Sequence, residues 1–126
     1  MPLADMLHFD EKGLIPTIIF DAGTREPLTL CYLDRAALER TLETGLVHVF
    51  RRSKGRVMLK GETSGHTQKV VDLLVDCEGN SLAIAIEQKV AACHAGYYTC
   101  YYRRYDKAKD ALETQGKPVF DPGRLY

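Results

Sequence analysis

Three cysteines, Cys77, Cys93 and Cys100, fall within the single stretch DCEGNSLAIAIEQKVAACHAGYYTC (76–100), sixteen and seven residues apart. His94 follows the second, and Asp76 and Glu78 flank the first. Thiolates, an imidazole and carboxylates are the donors that zinc takes. The gaps lack the paired C-x₂₋₄-C knuckles of a zinc finger, and no fourth structural ligand stands in an obvious place. Three thiolates with an open position would instead let the ion hold and activate a water. Free cysteine is also among the most buried residue types, so the same residues read as core packing. Spacing alone leaves both readings open.

Two further segments carry chemistry. KGETSGHTQ (60–68) has glycines on either side of Thr63 and Ser64, with Lys60 at its start. Backbone N–H groups and hydroxyls there can converge on an anion, although the segment is not a G-x-x-x-x-G-K-[ST] loop. Its plainer reading is a flexible polar loop. His66, an imidazole in that loop, can carry protons near neutral pH. His8 and His48 read as surface or packing residues. The basic turn Arg51–Arg56 contains Arg52, Ser53 and Lys54, and arginine forks match phosphate oxygens. Alone it would be a solvated hairpin tip. Together, the basic turn, the Gly/Ser/Thr loop and the three thiols suggest metal-assisted hydrolysis of a phosphorylated substrate.

The elements that must position these residues are mostly strands. LIPTIIF (14–20) and LTLCYL (28–33) read as a hairpin across a Gly/Pro turn, with Cys31 a small core residue. Asp34 is a good N-cap for RAALERTLETG, where Ala37, Leu38, Thr41 and Leu42 recur at helical spacing and Gly45 stops the helix. Strands are expected at 47–50, 57–59, 68–75 and 82–87, with a Glu78-Gly79-Asn80 turn between the last two. The aromatic run 97–102 is β-prone, 106–114 is expected as a short helix, and KPVFDPGRLY is a proline-punctuated tail. The fold class is α+β: a mostly antiparallel, β-rich single domain over 1–126 with one or two helices.

Composition excludes several partners. Seventeen basic residues offset seventeen acidic ones, so no charge excess draws the chain to nucleic acid or a membrane surface. No apolar run approaches a membrane span, and MPLADMLHFDEKG lacks the apolar core of a signal peptide. Four cysteines without an export signal point to a reducing cytoplasm and thiolate chemistry, not disulfides.

KGETSGHTQ, the DCEGN turn and CHAGYYTCYYR together resemble the phosphoribosyl-AMP cyclohydrolase family of histidine biosynthesis. The likeness extends to FDEKGLIP, LTLCYLDRAALERTLETG and the VFDPGRLY tail, and so covers nearly the whole chain. The resemblance implies a zinc enzyme that hydrolyses the N1–C6 bond of the purine ring in 1-(5-phosphoribosyl)-AMP. It implies a homodimer whose zinc site lies at the interface, with cysteines from both subunits. By position the zinc ligands are Cys77, Cys93 and Cys100, and the magnesium ligands fall on Asp76, Glu78 and Asn80. His66 or His94 would move the proton. Arg52, Ser53, Lys54, Lys60, Thr63 and Ser64 would hold the nucleotide's phosphates.

Some positions depart from the family pattern. The usual D-C-D-x-D reads Asp76-Cys77-Glu78-Gly79-Asn80, which lowers ligand charge, so magnesium binding is expected to be weaker or absent. Met58 stands where a tryptophan is expected, Phe20 where a glutamine is, and Ala95 where a threonine is. An intact zinc set with altered pocket residues also fits a paralogue: a zinc hydrolase of another nucleotide or heterocycle, or a non-catalytic zinc-stabilised dimer.

Overall fold

The computed structural model describes residues 2–62, 64–93 and 95–121. After a 3₁₀ turn at Leu3–Met6 come β1 (Ile15–Asp21), β2 (Pro27–Leu33), α1 (Arg35–Thr44), β3 (His48–Arg51) and β4 (Arg56–Leu59). The remaining strands are β5 (Gln68–Val75), β6 (Leu82–Gln88), β7 (Arg103–Asp106) and β8 (Ala111–Thr114). Four strands make the main sheet, in the order β2-β1-β6-β5, and β3-β4 and β7-β8 are separate hairpins. This is the small, β-rich, one-helix domain expected.

Alternation along β1 sends Ile15, Thr17 and Ile19 inward, as its period-2 sequence demands. β1 pairs antiparallel with β2, and Thr17 faces Cys31 across the ladder. On its other side β1 runs parallel to β6, from Thr17 opposite Leu82 to Asp21 opposite Ile86. With neighbours on both sides, β6 buries Leu82, Ile84, Ala85 and Ile86. β5 is the far edge, antiparallel to β6 with a bulge between Val70 and Asp72. It leaves Val71, Leu74 and Val75 exposed.

Helix α1 begins where the Asp34 side chain accepts the Ala37 N–H at 2.8 Å. It ends at Gly45, whose φ of 75° places it in the left-handed region, with its N–H on the Thr41 carbonyl. Ala37, Leu38 and Thr41 are buried, but Leu42 is 52% exposed despite its helical spacing. The Thr41 hydroxyl donates to the Ala37 carbonyl at 2.8 Å and accepts the His48 N–H at 2.9 Å, so one buried side chain joins α1 to β3.

Pairing is mostly antiparallel, as expected, and β1 with β6 is the one parallel pair among the described residues. Two expectations are corrected. The segment 106–114, whose length and polarity suit a short helix, forms a hairpin: Asp106 accepts the N–H groups of Ala108 and Lys109 and caps a turn between β7 and β8. The aromatic run 97–102 forms no strand, because its backbone bonds go to scattered carbonyls instead of a ladder. Among the described residues no helix is long and apolar enough to cross a membrane.

The cap at Asp34 gives a direct test. Asp34→Ala should destabilise the fold by about 1 kcal/mol, read as a lower urea midpoint with an unchanged slope.

Candidate functional site

The residues between β6 and β7 carry two of the three thiols on an irregular path. Ala92 donates its N–H to the Tyr98 carbonyl at 3.0 Å, Cys93 to the Tyr97 carbonyl at 3.2 Å, and Gly96 to the Cys93 carbonyl at 3.0 Å. This compact loop brings Cys93 and Cys100 to one place. Its far end is tied to the sheet, since the Cys100 N–H donates to the Leu28 carbonyl of β2 at 2.7 Å. The Thr99 hydroxyl adds a bond to the Pro27 carbonyl at 2.7 Å.

Cys93 and Cys100 line a cleft of about 890 Å³ with Arg51, Arg52, Ser53 and Lys60. Its described lining contains no carboxylate. The Arg52 guanidinium lies 4.1 Å from the centre of the Tyr32 ring, a cation–π contact that holds it over the cleft. Cys31 also lines this cleft, and burial pushes its thiol up to about 12, so it remains neutral. Its sulfur donates to the Thr17 carbonyl at 3.5 Å. Cys100 is exposed as a residue, but desolvation of its sulfur raises its pKa. Cys93 raises it further, while Thr29 and Lys60 pull the other way.

A smaller cleft of about 340 Å³ adjoins the first and shares Arg51 and Lys60 with it. Lys54, Ser64 and Met58 line it. The candidate phosphate ligands therefore divide: Arg52 and Ser53 lie beside the thiols, Lys54 and Ser64 lie next door, and Lys60 touches both. The Gly-rich loop closes on itself through the Gly65 N–H to the Gly61 carbonyl, 2.7 Å. A Cβ on Gly61, at φ 88°, would stand 2.5 Å from the His66 backbone, so only glycine fits there. Thr63 and His94 lie outside the described residues. His66 is half-buried with its ring edge-on to Phe120 at 4.6 Å, and it lines neither cleft.

Cys77 is exposed in the turn after β5. That turn is at the β5 edge of the sheet, whereas Cys100 is bonded to β2 at the other edge. Three strand spacings, about 14 Å, separate the two edges. Within one chain the third thiol does not join the pair. Among the described residues no three His, Cys, Asp or Glu side chains gather closely enough to hold a metal ion. In the same turn, one Asp76 oxygen accepts the N–H groups of Glu78 and Asn80, and the other accepts the Ser81 hydroxyl. These bonds, Ser81 first, hold the Asp76 carboxyl below its usual pKa.

Four residues have partners that the sequence did not show, two of them, Gln68 and Tyr98, inside the KGETSGHTQ and CHAGYYTCYYR motifs. Tyr98 donates its hydroxyl to Asp21, at the end of β1. Gln88 donates to the Tyr98 carbonyl, and Gln68 donates to Gln88. No motif or periodicity marks such partners, because they meet only through tertiary packing.

A family model for phosphoribosyl-AMP cyclohydrolase matches residues 29–102, from β2 through the thiol loop. The chain belongs to the phosphoribosyl-AMP cyclohydrolase family. It is 44% identical over 128 residues to the phosphoribosyl-AMP cyclohydrolase of Methanosarcina barkeri, covering 98% of this chain and 95% of that protein. It is 41% identical over 125 residues to the protein of the same name from Salinibacter ruber, covering 99% and 97%. A third relative is the histidine biosynthesis bifunctional protein HisIE of Thermoanaerobacter pseudethanolicus, 45% identical over 120 residues. This chain spans only 55% of that relative's length. In the cyclohydrolase family, then, the matched region holds both clefts, the acid-rich turn and all four cysteines.

The Tyr98–Asp21 bond is testable through pH. Asp21 has its pKa lowered, chiefly by Tyr98, so its contribution is present above the unfolded carboxyl pKa and is lost as pH falls through the lower folded value. Tyr98→Phe should cost about 1 kcal/mol at pH 7, discounted for partial exposure. Urea unfolding should show the gap between variant and wild type narrowing below about pH 4.

Proposed function

We propose that this chain is a phosphoribosyl-AMP cyclohydrolase: it hydrolyses the N1–C6 bond of the purine ring of 1-(5-phosphoribosyl)-AMP in histidine biosynthesis. The observation that carries the reading is the cleft that sets Cys93 and Cys100 beside Arg51, Arg52 and Lys60. Soft sulfur donors and phosphate-matching cations in one cavity are what a metal-assisted attack on a nucleotide requires. The substrate carries two phosphates, and two adjoining basic clefts that share Arg51 and Lys60 suit them.

The sulfur pair fits zinc as half of a ligand set. Cys93 and Cys100 would hold the ion, with Cys77 of a second copy as the third donor. Supporting that assembly, Cys77 comes directly after the edge strand β5, whose Val71, Leu74 and Val75 are exposed. An apolar edge of this kind is a surface for another chain. When bound, zinc supplies the Lewis acidity that makes a nucleophile from water near neutral pH. Oxygen from that water ends on C6 as a carboxamide, and the electron pair of the broken bond stays on N1, which takes a proton.

The chain's own residues bind and orient. Arg52, braced on Tyr32, and Lys60 hold phosphate oxygens away from the reacting carbon. His66 or His94 carries the proton in this reading. Phe120 packs on the His66 ring and limits its rotation. Magnesium fits the DCEGN turn poorly: both Asp76 oxygens already serve the turn, leaving Glu78 as the only other charged donor beside an amide. No step is assigned to it.

Purified chain given phosphoribosyl-AMP should produce the ring-opened formimino-carboxamide ribotide, followed by absorbance, and should contain about one zinc per chain. Cys93→Ala should lose both zinc and turnover. Turnover near wild type in that variant would overturn the mechanism. Zinc without turnover would instead favour the non-catalytic dimer. Arg52→Met should raise KM about tenfold, or ~1.4 kcal/mol, with a smaller change in kcat.

A further inference from the structure

Gln68 is fully buried at the start of β5, and its side-chain Nε2 donates to Gln88 Oε1 at 2.9 Å. Gln88, at the end of β6, donates its own Nε2 to the Tyr98 carbonyl at 2.8 Å. Amide orientation along this chain is forced from one end. A backbone carbonyl can only accept, so Gln88 must aim its NH₂ at Tyr98 and its oxygen at Gln68. Gln68 must then present its NH₂, and its oxygen is left without a partner among the described residues. An unsatisfied buried amide oxygen is destabilising. A fully buried polar side chain retained at that cost stands where leucine would suit burial better.

The Tyr98 carbonyl is the point where the loop's geometry is set. It accepts from Gln88 and also from the Ala92 N–H, so it fixes the position of the residue just before Cys93. The Tyr98 hydroxyl is tied to Asp21, and two residues further on the Cys100 N–H is tied to β2. Cys93 and Cys100 thus hang on either side of Tyr98, with its carbonyl held by a side-chain relay that begins in the core.

We infer that Gln88, oriented by Gln68, is a positioning residue that sets the separation of the Cys93 and Cys100 sulfurs. As far as it concerns metal, the inference rests on the proposed zinc site. Groups that orient ligands without touching the ion typically change metal affinity by about 10–100-fold when removed.

Gln88→Met keeps length and volume but removes both hydrogen bonds, and Gln68→Met leaves the Gln88–Tyr98 bond in place with its amide free to turn. Two probes read the sulfurs. Cobalt(II) reports tetrahedral thiolate ligation by its absorption bands. Phenylarsine oxide, on the metal-free protein, bridges two neighbouring thiols: two As–S bonds form, and the arsenic oxygen leaves as water with both thiol protons. The full chain is used throughout, with circular dichroism as the check on folding. Gln88→Met should weaken cobalt binding by about 10–100-fold and weaken arsenical bridging, and Gln68→Met should show a smaller loss in the same order. Cobalt and arsenical affinities within twofold of wild type in a folded Gln88→Met would overturn the inference. Should Gln88→Met not fold, the same criterion applies to Gln68→Met. If wild type takes the arsenical but no cobalt, the zinc reading falls, and the arsenical comparison alone decides the relay.

Discussion

Backbone groups that leave solvent must find partners, and a segment without a ladder has to borrow them. The stretch between β6 and β7 lives under that constraint. It belongs to no sheet, yet it carries Cys93 and Cys100. Its bonds therefore go to the Leu28 carbonyl on β2, to its own carbonyls, and to Gln88. Because those partners sit on strands of the main sheet, the loop inherits the sheet's rigidity while keeping a path that a strand cannot take. A strand would send alternate side chains to opposite faces. A looped path lets two sulfurs seven residues apart meet.

This borrowing treats the two edges of the sheet unequally. β2 has its Pro27 and Leu28 carbonyls occupied by Thr99 and Cys100, so the start of that edge is covered by the thiol loop. β5 is covered at its start, where the Val47 N–H donates to the Gln68 carbonyl and the Val70 N–H to the Gly45 carbonyl, whereas Val71, Leu74 and Val75, at and beyond its bulge, are exposed. Open apolar edges invite pairing with another chain. The proposed sharing of Cys77 between copies obeys the same geometry, because the turn that carries it follows the exposed end of β5.

Local sequence carried the local features well. Asp34 and Gly45 bracket α1 because capping is a matter of a few adjacent atoms. The β1–β2 hairpin was legible from alternation and turn residues, and Cys31 from its apolar neighbours. What failed depended on distant partners. Leu42 has helical spacing but faces solvent, since α1 offers only a narrow face to β3. The β7–β8 hairpin lies where composition allows either helix or strand, and the ladder pairing Arg103–Asp106 with Ala111–Thr114 makes it a strand pair. The thiol, basic-turn and Gly-loop residues were recognisable by type. That Arg52 and Lys54 serve adjoining clefts, or that two glutamines and a tyrosine brace the loop, required tertiary contacts.

The charge pattern of the larger cleft explains why its donors are sulfur and its cations mostly arginine. A site that holds both a divalent ion and phosphates, as proposed for this cleft, faces competing attractions. Carboxylates would serve the ion, but they would also pair with Arg51 and Arg52 and withdraw them from phosphate. Thiols avoid that conflict: sulfur forms only weak hydrogen bonds and leaves the guanidinium forks free. Tyr32 completes the separation. The Arg52 guanidinium carbon lies 4.1 Å from the centre of the Tyr32 ring, a contact with the ring's π face that takes up no carboxylate and leaves N–H groups for phosphate oxygens. Soft donors and braced cations would let the proposed metal and nucleotide share one cavity without neutralising each other's ligands.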